Sequence, residues 1–217
     1  LRAICHRHDI LLIFDEVITG FGRTGDRFGS DAFGVAPDIM NLAKTLTNGA
    51  VPMGAVLVKD EIYQAFVDEN APDHLIGLPH GYTYTGHPVG CALALEAIDI
   101  IINEKMIENV RRLEPIFMGG LKKFEELDHI GEARGVGLMG ALEMVQDKKS
   151  KKSFDGSISI GERVANKCIE NGLICRPLGP SIVLCPPFIT TDDEMEIIFD
   201  TLDKTLKNVF SEVRSLI

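Results

Sequence analysis

Asp15 and Lys44 are the residues whose type and position could do the most chemistry. Asp15 and Glu16 directly follow the apolar run 10–14 (ILLIF), and Lys44 closes the apolar segment 39–43 (IMNLA). In open α/β sheets, ligands bind beyond the carboxyl ends of the strands, so both side chains stand where a ligand would be met. A lysine amine that is partly desolvated or close to other cations loses its proton more readily, and its lone pair can then attack a carbonyl. Each residue also has a plainer reading. Asp15 and Glu16 could be loop carboxylates that cap backbone N–H groups. Lys44 could be a surface charge that ends a strand.

Taken together, the two say more. An imine-forming lysine and a carboxylate at neighbouring strand ends match the needs of pyridoxal phosphate: a Schiff base to its aldehyde and an anion facing its pyridinium N–H. The spacing by itself does not establish that the two side chains meet. A second candidate is TYTGHP at 83–88, with hydroxyls placed just before a helix whose free N–H groups attract an anion; simple helix capping is the alternative. Arg176 follows the apolar stretch 173–175 and could grip a carboxylate through its planar fork or serve in a structural pair. Arg134, two residues after Glu132, reads as a member of a local ion pair. His87 and Cys91 lie at helical spacing but have no third ligand, so no metal is expected. His6 and His8 read as a helix flank.

Two nucleotide motifs come close and fail. Apolar residues followed by Asp15-Glu16 resemble a magnesium-holding strand of an NTPase, but G-x-x-x-x-G-K-[ST] is absent from the sequence. The stretch 20–25 (GFGRTG) is a literal G-x-G-x-x-G. However, Asp15 and Glu16 come between it and the strand and would set negative charge near a pyrophosphate, and no convincing helix follows it.

The elements that must position these residues follow from the apolar pattern. Residues 1–8 read as the end of a helix, as though the chain begins inside a domain. The continuous run 10–14 reads as a strand buried on both faces, typical of a parallel sheet. Further strands are expected at 39–43 and 53–58, with a Gly-rich loop at 20–34 and loop at 68–87. Pro88 suits a first helical position, and 89–103 reads as a largely buried helix. An amphipathic helix at about 105–126, bent or interrupted at Pro115, comes next. Then follow a strand at 135–144, a Lys-rich loop at 147–153, a helix at about 157–171, a hairpin around Gly179-Pro180 and a helix at about 191–215. The boundary falls near residue 108, with an α/β part at 1–108 and an α+β part at 109–217.

Composition narrows the classes further. The 217 residues are 45% hydrophobic and 25% charged, ordinary for a soluble globular protein. The 32 acidic residues against 22 basic give a net charge of −10, which argues against a nucleic-acid surface. No apolar run approaches the roughly 18 residues of a membrane span. The five cysteines are scattered without a C-x-x-C pair, so neither a disulfide framework nor a zinc site is implied, and a reducing cytoplasm is the expected setting.

Collinear stretches over nearly the whole chain resemble the class III, fold type I pyridoxal-phosphate aminotransferases: 11–25 (LLIFDEVITGFGRTG), 37–58 (PDIMNLAKTLTNGAVPMGAVLV), 80–98 (HGYTYTGHPVGCALALEAI), 132–143 (EARGVGLMGALE) and 172–187 (GLICRPLGPSIVLCPP). The resemblance implies the C-terminal portion of the large, mostly parallel α/β domain plus a small α+β domain. It implies that Lys44 forms the Schiff base and shuttles the substrate proton. Asp15 would face the pyridine nitrogen and Val17 would pack on the ring. Thr83 would bind the phosphate of a neighbouring subunit's cofactor, with Tyr82 lining that pocket, which implies a homodimer. Arg176 would bind a substrate carboxylate.

Ile18 stands where many ornithine- and GABA-type members carry Gln. With the 80–88 and 176–179 stretches, it makes the chain most similar to the ω-amino acid or amine:pyruvate branch. Thr45 stands where a smaller residue often follows the lysine. The family's upstream half, with its phosphate cup and ring-stacking aromatic residue, is not in this sequence, so an incomplete subunit that is inactive alone is expected. Three alternatives remain: a non-catalytic interaction subunit, another class III chemistry (decarboxylase, epimerase or aminomutase), and an NTPase whose phosphate loop lies upstream.

Overall fold

The computed structural model describes residues 1–67, 77–78 and 80–214. The chain folds as two compact units, Leu1–Ile107 and Glu108–Ile217.

The first unit is built on a three-stranded sheet in the order β1-β2-β3, with β1 Ile13–Asp15, β2 Ile39–Leu42 and β3 Ala55–Val58. β1 and β2 run parallel, with Asp15 opposite Asn41, whereas β2 and β3 are antiparallel. Helix α1 (Arg2–Arg7) precedes β1, and the single turn α2 (Gly29–Ala32) lies within the Gly-rich loop. Helix α3 (Asp60–Val67) follows β3, and α4 (Pro88–Asn103) starts with Pro88 in its first turn. The loop expected at 68–87 overlaps residues 68–76 and 79, which lie outside the described residues; residues 80–87 are irregular, with a turn at 83–86.

Asp38 fastens this unit. Its carboxylate accepts the Leu12 N–H at 2.7 Å and pairs with Arg2 at 2.6 Å and Lys59 at 2.7 Å, tying α1, the approach to β1 and the end of β3 to the start of β2.

Two expectations need correcting here. The run 10–14 is not buried on both faces: Ile10, Leu11 and Ile13 are exposed, because among the described residues no element packs over them, and β1 is also an edge strand of the sheet. Helix α4 is not largely buried either. Only Gly90, Ala94 and Ile101 are covered, while Val89, Leu95 and Ile102 face outward.

The second unit is an antiparallel sheet in the order β4-β5-β7-β6, with β4 Ile130–Val136, β5 Met139–Met144, β6 Arg176–Leu178 and β7 Ser181–Leu184, together with helices α5 (Met106–Lys123), α6 (Ile160–Glu170) and α7 (Asp192–Val213). The strand expected at 135–144 is in fact the turn and second arm of a hairpin. Gly137 (φ +55°) and Leu138 make the reversal, and pairing extends back to Ile130. The helix expected at about 157–171 is a short 3₁₀ turn, Gly156–Ile158, leading into α6. The hairpin at Gly179-Pro180 is present as β6–β7.

Helix α5 is not interrupted at Pro115. The proline lies on its exposed face, where water can satisfy the carbonyl that loses its partner. The opposite face, with Val110, Leu113, Phe117 and Leu121 at helical spacing, is fully buried. Helix α7 adds Met195, Leu202, Leu206 and Val213, and its first turn is closed by a Thr191–Glu194 capping box. Each such Leu or Phe contributes about 1.5–3 kcal/mol by leaving water.

Candidate functional site

The parallel pairing of β1 with β2 decides the geometry. Asp15 is the last residue of β1, and Lys44 comes two residues after β2 ends, so both lie at the carboxyl edge of the same two neighbouring strands. Both are exposed. Asp15 Oδ1 accepts the Val17 N–H at 3.0 Å, which turns the chain sharply after the strand and leaves Val17 half-buried beside the carboxylate.

Lys44 has a left-handed backbone (φ +48°), a conformation that costs a side-chain-bearing residue energy and persists only when its surroundings enforce it. The surroundings are visible. A 3₁₀ turn, Lys44–Leu46, begins at the lysine, and Leu46 and Thr47 are buried behind it. The Thr47 hydroxyl donates to the Val51 carbonyl at 2.7 Å, and α4 packs against the turn. Strained backbone of this kind clusters at functional sites. One anion and one amine on one sheet edge form the donor set that pyridoxal phosphate requires, and the residues present fit that group.

The two members of the Asp15-Glu16 pair differ in burial. Strand alternation sends successive side chains to opposite faces. Asp15 is exposed, whereas Glu16 is buried and accepts the N–H groups of Gly29 (2.7 Å) and Ser30 (2.6 Å) as well as the Thr19 hydroxyl. Both carboxylates accept backbone N–H groups, Asp15 locally from Val17 and Glu16 across the loop from Gly29 and Ser30. Alternation was the signal that could have separated the two.

Tyr82 and Thr83 lie in the exposed turn before α4. The Tyr82 N–H donates to the Thr85 hydroxyl at 2.7 Å, and the Thr85 N–H donates to the Tyr82 carbonyl at 2.9 Å, which closes the turn. His87 occupies the N-cap position of α4 but makes no side-chain capping bond. The Thr85 hydroxyl is engaged in closing the turn rather than in capping α4.

Arg176 is exposed at the start of β6, in the second unit. Arg134 bridges Glu132 (3.1 Å) and Glu143 (2.6 Å) across the hairpin; its pKa is raised above the ordinary value, chiefly by the bond to Glu143. Among the described residues, no group of three or more His, Cys, Asp or Glu side chains could hold a metal ion, and no helix is long and apolar enough to cross a membrane.

Comparison with known proteins points the same way as the sheet edge. The family model described as "Aminotransferase class-III" matches residues 1–206. An aminotransferase of Sinorhizobium fredii is 42% identical over 98% of this chain and 46% of its own length. The omega-amino acid–pyruvate aminotransferase of Pseudomonas putida is 38% identical over 96% of this chain and 45% of its own length. The PMP-bound aminotransferase structure from Vibrio fluvialis superposes with a TM-score of 0.89 at 50% identity, covering 97% of this chain and 46% of that one. The chain thus spans about half the length of the curated relatives it matches. With a family match that runs through both units and solved transaminases that share the fold, the chain belongs to the class-III aminotransferases.

Proposed function

We propose that this chain forms the C-terminal portion of a pyridoxal-phosphate-dependent aminotransferase that transfers an amino group from an ω-amino acid or amine to a keto acid, with pyruvate as the acceptor. The observation that carries the reading is the shared carboxyl edge of β1 and β2, which presents Asp15 beside a backbone-strained Lys44. Pyridoxal phosphate, when bound, supplies an aldehyde that links to amines and a protonated ring that draws electrons from the substrate carbon. Lys44 Nζ would anchor the cofactor, and its free amine would take and return the proton of the substrate carbon. The Asp15 carboxylate holds the proton on the ring nitrogen, and Val17 packs on the ring.

Tyr82 and Thr83, together with the uncapped start of α4, suit a phosphate, because free N–H groups and the helix dipole favour an anion there. In this reading the phosphate belongs to a second copy's cofactor, so the enzyme works as a homodimer with sites at the interface. Arg176 grips the substrate carboxylate through a two-pronged contact. Residues 1–108 are the C-terminal part of the cofactor-binding domain and 109–217 the small domain. The remaining half of the subunit completes the phosphate cup and covers the open β1 edge, in a cytoplasmic enzyme.

The test is Lys44→Ala in the complete gene product. It should abolish the visible absorbance of bound cofactor and lower amino transfer by at least about a thousandfold. Retention of both would overturn the reading. Half-reactions of the unchanged enzyme with a panel of amines, followed by pyruvate, fix the donor class.

A further inference from the structure

Glu16 is buried to 2% exposure, yet it is a carboxylate. A buried charge persists only where hydrogen bonds replace its lost water. Its two oxygens receive the Gly29 and Ser30 N–H groups and the Thr19 hydroxyl, so one side chain joins the end of β1 to a point thirteen residues further along. The backbone of the same residue is held as well. The Glu16 N–H donates to the Asn41 carbonyl at 2.9 Å, and the Glu16 carbonyl accepts the Gly20 N–H at 2.9 Å.

The sequence leaves room for this closure. A Cβ at Gly29 would stand 3.0 Å from Glu16 Oε2, and one at Gly20 would stand 2.8 Å from the Glu16 carbonyl. Residue 16 is thus fixed to β2, to the start of the Gly-rich loop and to its far end, with Asp15 before it and Val17 after it.

We propose that Glu16 is a positioning residue: its buried carboxylate locks the Gly-rich loop onto the end of β1 and thereby holds Asp15 and Val17 in the geometry that the cofactor ring needs. The proposal rests on the reading of Asp15 and Lys44 given above. Glu16 directly follows β1 and is buried where Asp15 is exposed, and it acts through the backbone between them. A neutral amide cannot replace it, since Gln offers one accepting oxygen and turns its NH₂ toward an N–H that also needs an acceptor.

The experiment compares Glu16→Gln and Thr19→Val with the unchanged complete gene product, by two readouts. Hydrogen exchange of the Gly29 and Ser30 amides in cofactor-free protein reports the clamp itself. The pH midpoint of the visible absorbance under saturating pyridoxal phosphate reports protonation at the lysine–cofactor link, which the charge facing the ring nitrogen tunes. Glu16→Gln should lose protection at one or both of these amides, shift the absorbance midpoint and weaken cofactor binding by about tenfold or more, the factor given by one lost buried hydrogen bond to a charge. Thr19→Val, which keeps the carboxylate and removes one donor, should do the same to a smaller extent and serves as the variant if Glu16→Gln does not fold.

Loss of amide protection with an unchanged absorbance midpoint and affinity would make Glu16 a purely structural anchor and overturn the proposal. Full protection in Glu16→Gln would overturn it too. Absence of the visible band in the unchanged protein would instead overturn the reading of Asp15 and Lys44 and, with it, this role.

Discussion

The two units solve opposite problems. In the second, Leu113, Phe117, Leu121, Leu142, Leu202 and Leu206 are completely buried, and the chain from residue 108 onward builds a closed apolar core from its own sheet and helices. In the first, the best-covered large apolar side chains among the described residues, Leu12, Leu42, Leu46 and Ile101, retain 5–9% exposure, while Ile13 and Leu57 on the sheet are more than half exposed. The unit that carries Asp15 and Lys44 is therefore the one that supplies less of its own burial. Binding chemistry needs open strand ends and a strained lysine, features that lower local stability. The second unit, which carries Arg176 at the exposed start of β6, packs around its own core like an ordinary small domain.

The largest effect that could break this contrast is a cavity in the second core. Phe117→Ala should destabilise the second unit by about 3–5 kcal/mol. Hydrogen exchange resolved along the chain should show that loss in β4, β5 and α7. An equal loss of protection confined to residues 1–67 would contradict the division.

Acid should act next, and on the first unit. The Leu12 N–H, Lys59 and Arg2 hold the Asp38 carboxyl well below its ordinary value of 3.8. A group whose pKa is depressed by folding lends stability that is complete above its unfolded pKa and lost as the pH falls toward the folded one. The first unit should therefore loosen as pH drops below about 3.8, and Asp38→Asn should remove that acid step while weakening the unit at neutral pH. An unchanged acid step in Asp38→Asn would assign it to another carboxylate.

The smallest effect sharpens the comparison most. Leu57→Ala on the open face of β3 should change stability by no more than about 0.5 kcal/mol in this chain alone. In the complete gene product, the same substitution should cost about 2 kcal/mol if the remainder of the subunit covers that face. Equal small costs in both would mean that the face stays open.

The contrast also explains what could be read from the sequence. The run 10–14 spelled out a strand covered on both faces, and its apolar residues do form the approach to β1 and its start, yet Ile13 faces outward. Apolar pattern records the burial a strand is suited to, and among the described residues that burial is not realised at Ile10, Leu11 and Ile13. Lys44 and Asp15 were legible because each follows an apolar run at a strand end. The left-handed backbone at Lys44 left no mark, since nothing in the type of a lysine announces it.

Glu16 was hidden by its neighbour. Two adjacent carboxylates look alike until the fold buries one and leaves the other exposed. In the second unit, the β4–β5 hairpin was read as one strand because Gly137-Leu138 lacks the Asn-Gly or Asp-Gly signature of tight hairpins. Helix α7 was plain from its long amphipathic pattern, though its Thr191–Glu194 capping box went unread.

The central claim is that Lys44, at the carboxyl edge of β1 and β2, is the residue that holds the cofactor. Its most direct test is borohydride treatment of the pyridoxal-phosphate-loaded complete gene product, which makes an amine–aldehyde link permanent, followed by peptide mapping. The account predicts a single pyridoxyl label on Lys44. A label on a different lysine, with Lys44 unmodified, would contradict it.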